Sequence, residues 1–88
     1  MGKKLPRMTL DEHLQHAKVV TEIRSNLLEL SSTCGSKFGW SHKTHKDAVR
    51  VLRVLDTLRS SLDDEYHSII TYEDFYKYGH IYYKEKNK

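Results

Sequence analysis

Ala48, Val51, Leu55, Leu58 and Leu62 follow one another at steps of three, four, three and four. A repeat of this kind returns apolar side chains to one face only on a helix. Val49, Leu52 and Val54 widen that face. The seam is long enough for packing within one chain and too short to establish a coiled-coil dimer. Thr44 followed by Asp47 resembles a capping box, so Ser41 or Thr44 is the expected cap of this second helix.

A first helix is expected upstream. Thr9 with Glu12 three residues on makes a capping box, and Asp11 and Glu12 suit the positive end of a helix dipole. Leu10, Leu14, Ala17, Val19, Val20, Ile23, Leu27, Leu28 and Leu30 recur at helical spacing. Their face is wide enough to meet more than one neighbour. Ser31, Ser32 and Thr33 are expected to end the helix, with Gly35 as the stop. Residues 34–43 then form the connection, from which Phe38 and Trp40 are expected to fold back onto the core.

In the third segment, Thr71 and Asp74 give another capping signature. Tyr72, Phe75, Tyr76, Gly79, Tyr82 and Tyr83 share a helical face, which favours a helix with a weak point at Gly79. A hairpin is the competing reading, because Ile69–Tyr72 and His80–Tyr83 are rich in strand formers. The expected architecture is all-α: a small three-helix bundle built on a long helical hairpin. A single domain spans residues 9–84, between a flexible basic arm at 1–8 and a frayed basic tail at 85–88.

A chain of 88 residues buries a limited core, so self-association is an open option. No apolar stretch approaches the roughly 20 residues of a membrane span. Met1–Arg7 lacks the apolar run of a secretory signal. The lone cysteine, Cys34, cannot form an internal disulfide, and a reducing cytoplasm is the expected setting.

Charge is distributed in blocks. Residues 34–62 carry six Lys and Arg against two Asp, and residues 63–76 carry five acidic residues and no Lys or Arg. Trp40, Ser41, His42, Lys43, His45 and Lys46 gather an indole, imidazoles, hydroxyls and ammonium groups at a helix start. Free backbone N–H groups there favour an anion, and Arg50 and Arg53 continue the basic strip on the side away from the seam. These eight residues are the candidate site for a nucleotide or nucleic acid. The plainer reading makes Trp40 a core plug, Ser41 or Thr44 a cap, and the lysines solvent-facing. No phosphate-loop pattern is present.

All six tyrosines fall between Tyr66 and Tyr83. Tyr72, Phe75, Tyr76, Tyr82 and Tyr83 are the candidate protein interface, although the same rings could rim a small core. His13 with His16 and His42 with His45, each three apart, together with Cys34 form a weaker possibility of a metal site. No cofactor is expected. Asp63, Asp64, Glu65 and His67 group carboxylates with a base, but such runs more often solvate a helix end. Cys34 near Lys37 lacks a nucleophile motif. The expected ten-residue connection is too long for the turn of a DNA-reading helix-turn-helix.

The reading is therefore a small non-enzymatic binding module, acting as an accessory, adaptor or inhibitor protein. It takes an anionic ligand at the start of the second helix. The alternative is a protein-interaction or self-association module that uses the tyrosine-rich segment.

Overall fold

A computed structural model describes residues 7–83 of the chain. It consists of α1 (Leu10–Phe38), α2 (Lys43–Ile69), the short α3 (Tyr72–Tyr78) and a final 3-10 turn at Ile81–Tyr83. The C-terminal segment is helical, and no strand occurs among the described residues. Nearly all of the expected arm at 1–8 and all of the tail at 85–88 lie outside those residues.

Two of the expected starts form as full capping boxes. The Thr9 hydroxyl accepts from the Glu12 N–H while Glu12 accepts from the Thr9 N–H. Thr71 and Asp74 do the same for α3. The start of α2 differs from expectation: its cap is His42, whose Nδ1 accepts from the Thr44 N–H at 3.1 Å. An imidazole nitrogen serves the same orphan donor that a hydroxyl serves, so neither Ser41 nor Thr44 is the cap.

The end of α1 also differs. The helix runs through Ser31–Thr33 and Gly35 to Phe38, so the connection is residues 39–42 and not 34–43. Ser31 and Gly35 are buried, and the contacts of Ser31 with His45 on α2 and of Gly35 with the Trp40 ring outweigh their weak helix propensity. Gly39 ends the helix at φ 108°, in backbone space that favours glycine, with its N–H on the Gly35 carbonyl. The short connection removes the spacing argument against a helix-turn-helix. The antiparallel packing of α1 and α2 replaces it, because that motif needs a steep crossing.

Three contacts trace the antiparallel hairpin from its turn to its open end. His45 Nδ1–H donates to the Ser31 carbonyl at 3.0 Å. Arg24 Nε holds Asp56 Oδ1 at 2.9 Å, and Arg59 reaches the same oxygen at 3.2 Å. The His13 ring meets Tyr66 edge-on with centroids 5.8 Å apart. The Arg24 hydrogen bond holds the Asp56 carboxyl below its usual range, so the central bridge stays charged.

The core is Ala17, Val20, Leu55, Tyr66, Ile81 and Tyr82. Two of these six, Ile81 and Tyr82, arrive from the C-terminal segment. Gly79 ends α3 at φ 71° and turns the chain back, and its carbonyl accepts the Tyr66 hydroxyl at 2.8 Å. Ile81 and Tyr82 then seal the open end of the hairpin. Tyr66 is 0% exposed and Tyr82 1%. Truncating either ring to Ala costs about 3–5 kcal/mol, a large share of what so small a core supplies. The seam expected on α2 is split: Ala48 and Leu55 are buried and Leu62 is partly buried, while Val51 and Leu58 are each 50% exposed.

His13 is buried beneath these rings, with Nδ1 2.6 Å from the Tyr82 hydroxyl and Nε2 buried without a hydrogen-bond partner. Burial holds the imidazole below its ordinary 6.5, outweighing the pull of Glu65. An imidazolium would bury an unanswered Nε2–H. The unfolded chain takes up this proton below about 6.5, and the folded chain resists it. Stability contributed by neutral His13 is thus complete above about 6.5 and falls as pH drops below it. Asp56 adds nothing across that window, because its ordinary value of 3.8 is itself lowered. Thermal midpoints at about pH 7.5 and about pH 5.5 check this. A lower midpoint at the acid pH is expected, and an equal or higher one contradicts it.

Candidate functional site

The basic strip lies along the outer side of α2 behind the turn. His45, Lys46, Val49, Arg50 and Arg53 line a shallow pocket of about 320 Å³. The pocket is open, and Val49 is the apolar residue among its basic lining. Asp47 accepts from Lys43 at 2.8 Å and from Arg50 at 3.5 Å, which neutralises part of the strip. The Lys43 hydrogen bond keeps the Asp47 carboxyl below its usual range. Lys46 and Arg53 make no ion pair among the described residues and carry the net positive potential here.

Of the eight residues expected at this site, His45, Lys46, Arg50 and Arg53 come together at the pocket. His42 caps α2 and stacks on Phe38, with centroids 5.2 Å apart. Ser41 and Lys43 are exposed at the turn. Trp40 folds back onto the helix end and not into the core. Its six-membered ring occupies the space a Cβ would need at Gly35, and it meets His45 edge-on at 5.0 Å. The indole remains 61% exposed, and Phe38 is also mostly exposed, so neither is the core plug that the loop reading implied. The contact with His45 sets the wall of the pocket, so Trp40 supports the site from beside it.

The tyrosine-rich segment divides. Tyr82 is in the core, as is Tyr66. Phe75 packs on His67 and His80. The Arg59 guanidinium stands 4.3 Å over the Tyr83 ring. Tyr72 and Tyr76, at 87% and 89% exposed, project into solvent. Burial pushes the Tyr82 hydroxyl up to about 12, so this ring enters the core as a neutral phenol. The five residues expected as one interface therefore serve four different surroundings.

A second surface was not among the expected sites. Val19, Ile23 and Leu30 on α1, and Val51, Val54 and Leu58 on α2, are all exposed. Val19 immediately precedes buried Val20, Leu30 precedes buried Ser31, and Val54 precedes buried Leu55. One step back is about 100° around a helix, in the same sense on both. In an antiparallel pair, equal offsets of that kind point to the same side of the hairpin. The opposite flank begins one step forward: Asp56 follows Leu55, and His67 follows Tyr66. There the C-terminal segment docks, through Phe75 and His80 against His67. Residues 75–83 cover this flank at the open end of the hairpin, while Leu28 nearer the turn stays 47% exposed, and the other flank presents an apolar strip from both long helices. The spacing was visible in the sequence; which half of a wide apolar face stays open was not.

The paired histidines expected as metal ligands do not converge. His13 is in the core, His16 is exposed on α1, and His42 and His45 are engaged at the turn. Cys34 is a free thiol on α1. No helix among the described residues is long and apolar enough to cross a membrane. Comparison with known protein families, curated proteins and solved structures gives no match.

Proposed function

We propose that the chain is a non-enzymatic binding module whose first partner is a second copy of itself. The open apolar strip of the hairpin carries this reading. Six large aliphatic side chains on one side make an exposed apolar patch of the kind that often marks an interaction surface. A helix of 27 residues is about 40 Å long, and two packed helices make a face about 20 Å wide. The apolar strip occupies the stretch from Val19 to Leu30 and from Val51 to Leu58 of that face, and the polar residues on either side of it would complete the roughly 800 Å² that each partner gives to a stable interface. Two hairpins stacked on it form a four-helix bundle, with the split seam of α2 completed by the other chain. The dimer would leave both basic pockets and both C-terminal segments on its outside.

Sedimentation equilibrium tests this. The expected mass at about 100 µM is twice 10.4 kDa. Val54→Lys with Leu58→Lys, both exposed in the single chain, should shift it to one copy while retaining helical circular dichroism. A wild-type chain that stays at one copy, or a double variant that still pairs, contradicts the proposal.

The pocket favours a second reading, an anionic partner taken up by the assembled module. Lys46 and Arg53, without an ion pair among the described residues, stand beside apolar Val49 and suit a phosphate carried on a base or sugar. Binding of a fluorescent nucleoside triphosphate should weaken about tenfold between low and physiological salt. It should be lost in Lys46→Ala with Arg53→Ala. Equal affinity in that variant removes this reading.

A further inference from the structure

The geometry points to a transition-metal site that joins α2 to the C-terminal segment, with Asp63, His67 and His80 as its protein ligands. Asp63 and His67 are four residues apart on α2, one turn of the same flank. His80 follows the Gly79 turn and faces them from the other side. One ligand atom from each lies within 4.8 Å of the other two. The His67 and His80 ring centroids are 5.6 Å apart, and both rings lean on Phe75.

The polar accounting at this spot is incomplete without a cation. Asp63 Oδ1 is buried and accepts no hydrogen bond. His67 Nε2 stands 3.5 Å from it, an ion pair only when that imidazole is protonated. A buried carboxylate oxygen lacking a donor is costly, and a divalent ion answers it directly. An ion held at about 2.0–2.1 Å sets its ligands roughly 3.4 Å apart in a tetrahedron. The exposed His67 and His80 side chains reach that spacing by rotating, while Asp63 stays where the helix puts it.

The donor set selects the ion. Two imidazoles and one carboxylate suit zinc and its first-row neighbours, whereas magnesium and calcium prefer oxygen alone. Three protein ligands leave a fourth position to water. His80 immediately precedes Ile81 and Tyr82, the residues that close the core. Metal at this site therefore clasps the closing segment to α2, and its binding free energy adds to that of folding. This pairing of distant histidines is independent of the apolar strip, which lies on the other side of the hairpin.

The test uses the full chain without a histidine tag, titrated with zinc and, separately, with magnesium. One zinc per chain should bind, raise the thermal midpoint, and shift the imidazole NMR signals of His67 and His80 but not those of His16. Magnesium should do none of these. His80→Gln and Asp63→Asn should each weaken zinc at least about tenfold, with His16→Gln unchanged. No saturable zinc binding, undisturbed His67 and His80 signals, or wild-type affinity in His80→Gln overturns the assignment.

Discussion

A hairpin of two helices gives each helix one neighbour, and the apolar face of α2 is wider than one neighbour covers. Ala48 and Leu55 turn inward to α1, and Val51, Val54 and Leu58 turn to one side. The same division runs along α1, where Val20 is buried and Val19 is not. The chain answers the shortage on one flank only. Its last described residues fold back over the side of Asp63 and His67, and the other side is left to water or to a partner. The basic pocket lies away from the apolar strip, so the two surfaces can be occupied together.

Closure of the open end depends on a few polar contacts around large rings. Tyr66 donates to the carbonyl of Gly79, and the Tyr82 hydroxyl meets His13. These hydrogen bonds make burial of two phenols and an imidazole tolerable in a core with little aliphatic bulk. They also fix which rings of a tyrosine-rich segment go inside. Arg59 extends the same junction outward, joining Asp56 of the central bridge to the face of Tyr83. The C-terminal segment is thus part of the domain and supplies much of its core.

Local signals read well where the chemistry is local. Thr9 with Glu12 and Thr71 with Asp74 announce their helices, and the step pattern of α2 gives its inward residues Ala48 and Leu55. The end of α1 was illegible because Ser31 and Gly35 are weak helix formers held in place by His45 and by the Trp40 ring, contacts that sequence spacing does not reveal. The cap at His42 was hidden because an imidazole replaces the expected hydroxyl. At the basic site, the residues one and two turns into α2 converge, while those at the turn itself are spent on capping and stacking. Asp63 and His67 were visible as neighbours on a helix. His80 joins them only through the turn at Gly79, thirteen residues beyond His67 in the chain.

The proposed dimer completes an apolar face that the fold of one chain leaves open. Thermal unfolding followed over a hundredfold range of protein concentration tests it most directly, because only an assembly couples its midpoint to concentration. For the dimer, a midpoint that rises steadily with concentration is expected. A midpoint that stays constant across the range would contradict it, and would mean that the exposed valines and leucines of the hairpin remain in water.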